Sequence, residues 1–226
     1  MIIKEFNVEE LNLNYYVGVS QIKLDLIKIL NIDKLNHEKK GIDIIFTIIK
    51  SIENKFPQAI IQLFNGMYIL NQSHIFIACY FVQKIFQEKN NISNNKNIEL
   101  LLYFSANRQI SKAIEVFGIN NIDLKSADLN LCILSPINNL VEIKNEILQN
   151  LNAVEVNLVI NNQSFEKLSN IKRYFEVSDQ QIHTILKSYG IQLDNKNDNL
   201  DYLYLAIQDL LYEKMALLNS EIVKVD

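Results

Sequence analysis

Five glycines, at positions 18, 41, 66, 118 and 190, and two prolines are all that this chain of 226 residues has for tight turns. Glycine enters left-handed backbone without steric cost, so the turns must fall largely to Asn and Asp, which tolerate it next best. The scarcity also removes chemistry. Glycines this far apart build neither a phosphate-cradling loop nor a dinucleotide fingerprint. No serine sits in a Gly-x-Ser-x-Gly elbow. His37, His74 and His183 are not paired with each other or with cysteines at ligand spacing, so no metal site is legible.

A hydrophobic content of 49% with 21% charged residues places the chain in the globular range, with one domain over residues 1–226 as the expectation. Cys79 and Cys132 lie in the apolar runs IFIACYFV and LNLCILS, where a free thiol behaves as a small hydrophobe. A net charge of −4 argues against broad, non-specific nucleic-acid binding but leaves room for a local basic patch. Arg108 and Arg173 are the only arginines. The opening stretch MIIKEFNVEEL is broken by charge and lacks the apolar core of a signal peptide. The longest apolar runs, 42–52 and 75–86, fall short of the roughly 20 residues of a bilayer span. A cytoplasmic protein with no membrane partner is expected.

Residues 2–6 read as a strand, 15–19 as a second extended piece, and 21–30 as a helix with Ile22, Leu26, Ile29 and Leu30 on one face. Helical spacing over 41–56 stops before Pro57. Residues 59–64 (AIIQLF) read as a strand, with a turn at Asn65-Gly66 and an extension over 67–70. Asn71 or Ser73 caps a helix running to about Glu88, and 90–97 (NNISNNKN) is the mid-chain stretch best suited to disorder. The continuous apolar run 98–104 (IELLLYF) suits a strand covered on both faces. A helix then begins at Arg108 or Gln109 and closes at Gly118 with a glycine cap. A strand at 127–134, a helix at 139–148 and an edge strand at 153–160 follow. The last third is helical near 164–175, 178–188 and 200–219. In its final segment Leu200, Leu203, Tyr204, Ile207, Leu211, Met215 and Leu218 share a wide apolar face. The pattern predicts an α/β protein, with mixed α+β left open: a small central β-sheet packed with helices, then a helical C-terminal part.

Three features bear on function. Glu53, Glu88, Glu115 and Glu142 sit on helices near lysines and read as solvated surface, so catalysis has no residues to stand on. His74 opens a helix and is either a residue near the cap or a donor facing an anion. Asn107-Arg108-Gln109-Ile110-Ser111-Lys112 lies at a strand-to-helix junction with Arg108 and Lys112 one turn apart. It is either a phosphate-binding corner or a capped helix with a solvated basic first turn.

The segment LLYFSANRQISKAIEVFGI resembles the signature of the KEOPS complex small kinase-binding subunit family, also described as TPRKB-like or PRPK-binding proteins. Ile110, Ser111, Ala113, Ile114, Phe117 and Gly118 match its Ile-Ser-x-Ala-Ile/Leu-x-x-Phe/Ile-Gly pattern, and LNLCILS resembles the strand that follows. QLFN at 62–65, the helix opening at His74 and LLYEKMALL near the end resemble further family elements. Extra material near 30–57 and 178–199 departs from the compact family pattern. The resemblance implies a non-catalytic, cofactor-free subunit in the synthesis of threonylcarbamoyladenosine in tRNA. Such a subunit docks on the N-lobe of the complex's small atypical kinase, meets the other KEOPS subunits through it, and recruits tRNA by holding the acceptor 3′ CCA end. On that reading His74, Asn107, Arg108, Gln109 and Lys112 are the RNA candidates, since single-stranded ends are held by basic side chains and stacking platforms. Leu210, Leu211, Met215, Leu218 and Ile222 on the C-terminal helix and tail are the kinase-contact candidates, unless their stripe completes the fold. A structural adaptor without RNA binding and an enzyme with an unrecognised pocket are the competing classes.

Overall fold

Side-chain alternation along the strands sets the architecture, which a computed structural model describes for residues 1–25, 41–191 and 199–219. Strand β2 (Leu13–Leu24) sends Tyr15, Val17 and Val19 to one face and Ile22 and Leu24 to the other. Strands β3 (Ile60–Phe64) and β4 (Asp128–Ser135) divide in the same way, so each is buried on both faces. With β1 (Ile2–Val8) and β5 (Ala153–Val156) they form one antiparallel sheet of order β1-β2-β4-β3. β4 occupies one edge of β2, and β1 and β5 follow one another along the other edge, pairing with Leu13–Val19 and Gln21–Leu24.

On one face α1 (Gly41–Lys55) and α6 (Leu140–Asn150) bury Ile45, Ile49, Ile52, Leu140, Ile143 and Ile147 against the sheet. The other face carries the larger core, built from α2 (Gln72–Glu88), α3 (Lys96–Ser105), α4 (Ile110–Phe117), α7 (Phe165–Tyr174), α8 (Asp179–Ser188) and α9 (Leu200–Leu217). A short helix, α5 (Asn121–Ser126), leads into β4 and has no counterpart in the sequence reading. The mixed α/β class stands as expected.

Four local expectations are corrected. Residues 98–104 are helical: Asn95 caps α3 by accepting from the N–H groups of Asn97 and Ile98, and Leu100 to Phe104 are buried all round. Residues 21–24 continue β2, with Ile22 and Leu24 buried and Lys23 exposed at period two; the remainder of that expected helix, 26–30, lies outside the described residues. Residues 67–70 form a turn closed by the Ile69 N–H donating to Gly66 O at 3.1 Å. The 90–97 segment is tied down by the buried Glu99 carboxylate, which accepts from the N–H groups of Ile92 (3.1 Å) and Ser93 (2.7 Å).

Left-handed backbone falls to Asn12 and Asn152 as the shortage of glycine requires, but also to Lys89, Ala106, Ala127 and Glu176. Gly118 ends α4 with an ordinary negative φ of −68° rather than in a left-handed cap. Its requirement is close approach: a Cβ there would lie 2.4 Å from the carbonyl oxygen of Ile114.

The stripe of α9 is core. Leu210, Leu211, Met215 and Leu218 are all buried, with Leu211 and Met215 fully so. Leu211→Ala therefore leaves a cavity between α9 and the larger core and should cost about 2–5 kcal/mol in urea unfolding. A loss below about 0.5 kcal/mol, normal for a surface site, would contradict this packing.

Candidate functional site

Asn107 to Lys112 stand at a helix-to-helix corner, since the expected strand is α3. Ala106 takes φ 44° and turns the chain out of α3, and the Asn107 N–H closes the turn on Leu102 O at 3.2 Å. Asn107 Oδ1 accepts from the Gln109 N–H at 2.8 Å, and Gln109 caps α4 without a side-chain hydrogen bond. Gln109 and Lys112 are exposed, while Asn107 and Arg108 are half-buried. Arg108 Nη1 donates to Leu218 O at 3.0 Å, so the arginine also holds the C-terminal end of α9 onto the corner.

That contact brings Lys214 of α9 beside Lys112. Together with Asn107, Arg108, Gln109 and Leu217 they line a groove of about 520 Å³. An adjoining depression of about 450 Å³ shares Asn107, Lys112 and Lys214, and adds Tyr174 along with Glu115 and Glu176. Among the described residues none of the three cations has a carboxylate within ion-pair distance. Tyr174 stacks on Tyr68 with ring centroids 4.6 Å apart and meets Phe117 edge-on at 5.6 Å. Burial pushes its hydroxyl pKa up to about 12, so it stays neutral. Three cations gathered at one corner suit a phosphate group. Lys214 and Tyr174 were not singled out in the sequence. Lys214 is half-buried at the border of the α9 stripe, four residues after Leu210, and its neighbourhood with Lys112 is purely tertiary.

His74 is not in the groove. It is fully buried, its Nδ1 accepts from the Leu70 N–H at 3.2 Å, and its Nε2 lies 3.1 Å from Phe104 O. Both ring nitrogens are spent inside the protein, and burial drives the pKa down to about 3. A neutral, enclosed ring cannot present a donor to RNA. Leu210, Leu211, Met215 and Leu218 are equally closed to a partner, and Ile222 lies outside the described residues. The large apolar side chains that α9 exposes are Tyr202, Leu205 and Leu217.

Another cleft, of about 530 Å³, lies beyond the end of β3 and is lined by Asn65, Asp123, Asp128, Asn130, Ser164 and Lys167 among others. Two of its ionisable groups, Asp123 and Lys167, are engaged by the chain itself. Asp123 accepts from Asn65 Nδ2 and the Asn120 N–H, and the Lys167 ammonium donates to Leu70 O and Ile160 O. Burial lowers the Lys167 pKa to about 8. Among the described residues no group of three His, Cys, Asp or Glu side chains could hold a metal, and no helix is long and apolar enough to cross a membrane.

No curated protein is similar enough to count as a match. A protein-family model does match, described as kinase binding protein CGI-121, over residues 40–219. The matched segment takes in α1 through α9 together with β3, β4 and β5, which is the sheet–helix framework that carries the basic groove. The chain belongs to the CGI-121 family of kinase-binding proteins, the small-subunit family of KEOPS.

Proposed function

We propose that the chain is the non-catalytic, cytoplasmic subunit of KEOPS that binds the small atypical kinase and recruits tRNA by its 3′ CCA end for threonylcarbamoyladenosine synthesis. Membership of a kinase-binding family supports the first half. The second half rests on one observation: Arg108, Lys112 and Lys214, none in ion-pair contact with a carboxylate among the described residues, converge on a groove whose adjoining depression holds Tyr174, Glu115 and Glu176, in a chain whose net charge is −4. Local concentration of cations against an acidic average is what a single-stranded terminus of a few nucleotides needs, and what a duplex-coating protein would not have.

The test uses the purified full chain. Mixed with the small KEOPS kinase from the same cell it should co-elute in size-exclusion chromatography, and it should retard tRNA in a gel but not tRNA trimmed of its terminal CCA. Co-elution without any tRNA shift points to an adaptor that does not bind RNA, and equal retardation of trimmed tRNA removes the CCA end from the reading.

A further inference from the structure

Cys79 lies midway along α2 and Cys132 at the centre of β4, so the two come from different layers of the larger core. Both are free and fully buried, and their Sγ atoms are 3.6 Å apart. That is close contact for two thiols. A disulfide needs the sulfurs at about 2.05 Å, so forming one requires side-chain rotation together with an approach of helix to strand. The Tyr15 hydroxyl lies in the same core and has no hydrogen-bond partner among the described residues.

We propose that Cys79 and Cys132 are an oxidative modification site, converted by a hydroperoxide into one intramolecular disulfide that staples α2 to β4. In the closed core burial pushes the Cys79 thiol pKa well up, so the first step belongs to transient openings of α2 from the sheet. One thiolate attacks a peroxide oxygen and the O–O bond breaks, leaving a sulfenic acid and a hydroxide that takes up the thiol proton as water. As the core recloses, the second sulfur attacks the sulfenic sulfur. The S–S bond forms, the S–O bond breaks, and the hydroxyl leaves with the second thiol proton as water. Two thiols and one hydrogen peroxide thus give one disulfide and two waters; the sulfurs lose the two electrons that the peroxide oxygens gain.

The sulfurs are 53 residues apart in sequence, and the ring they close includes all of α3 and α4. Cross-linking a loop of that length restricts the unfolded chain strongly. The oxidised protein should therefore keep its fold and melt about 5–10 °C higher than the reduced one.

The experiment treats the folded full chain with hydrogen peroxide in the absence of denaturant. Alkylatable thiols are then counted in denaturant, the intact mass is measured, and the melting temperature is compared before and after. Expected are loss of both thiols, a mass decrease of two hydrogens apart from any methionine oxygen, a cross-linked Cys79–Cys132 peptide, and the rise in melting temperature. Cys79→Ala and Cys132→Ala, treated in the same way, should show no such rise. Two thiols still alkylatable, sulfinic acid in place of the cross-link, or an oxidised protein that melts no higher than the reduced one would each overturn the proposal. The primary readout needs no variant, so a poorly folding alanine mutant does not blunt it.

Discussion

Reversing Lys112 and Lys214 together, as Lys112→Glu/Lys214→Glu, should weaken binding of tRNA by about ten- to a hundredfold at moderate salt while leaving the fold intact. Both side chains line the groove and neither is in ion-pair contact with a carboxylate among the described residues, so reversing them breaks no salt bridge described there. Each cation that meets a phosphate of a single strand contributes about 0.7 to the slope of log affinity against log salt. Losing two such contacts should flatten that slope by about 1.4, a readout that general damage to the protein would not mimic. Arg108 needs a different substitution, because its guanidinium also ties down Leu218 O. Arg108→Lys keeps a charge but loses the planar fork. It should lower affinity less than the double reversal and lower the melting temperature slightly. An unchanged salt slope in the double variant takes RNA away from this groove and leaves the chain as a kinase-binding adaptor.

The parts of this site differ in how far the sequence could show them. Strands β3 and β4 were legible because AIIQLF and LNLCILS are short and bounded by turn residues. IELLLYF has the same apolar density but was misread, since a run of seven cannot be told from a buried helix by periodicity. Its composition held the missing clue: beyond Ile98 it has no β-branched residue, and Asn95 stands where a helix cap belongs. The corner at 107–112 survived that error because α4 begins where expected, whichever element precedes it. Lys214 and Tyr174 could not be found from one dimension. They reach Lys112 only because α9 and α7 fold back over α4. The stripe of α9 failed for the opposite reason, since an apolar face announces burial without saying whether the chain itself or a partner covers it.

His74 shows the same ambiguity for a single residue, and it makes the protein sensitive to acid. With Nδ1 accepting from Leu70 and Nε2 within hydrogen-bond distance of Phe104 O, the arrangement defines a neutral ring protonated at Nε2. A second proton on Nδ1 would set one donor against another and bury a charge near the Lys167 ammonium, so the folded-state pKa falls to about 3. In the unfolded chain the ring titrates near 6.5. Above that value both states are neutral and His74 adds no pH dependence. Between about 6.5 and 3 the unfolded state binds a proton that the native state refuses, so stability falls as pH falls, by about 1.4 kcal/mol per unit once well below 6.5. Carboxylates such as Glu155, held down to about 2 by Lys144 and Ser20, add their own losses at lower pH. The His74 share is isolated by His74→Gln, whose amide can accept from Leu70 and donate to Phe104 without titrating. Urea unfolding of both proteins should give a stability difference that is flat above pH 7. Between pH 6 and 4 it should shift in favour of the variant by about 2 kcal/mol. Imidazole nitrogen chemical shifts should report the neutral tautomer protonated at Nε2 in the folded protein at pH 5. A charged ring at that pH, or a stability difference independent of pH, would return His74 to the surface and reopen its candidacy as an RNA contact.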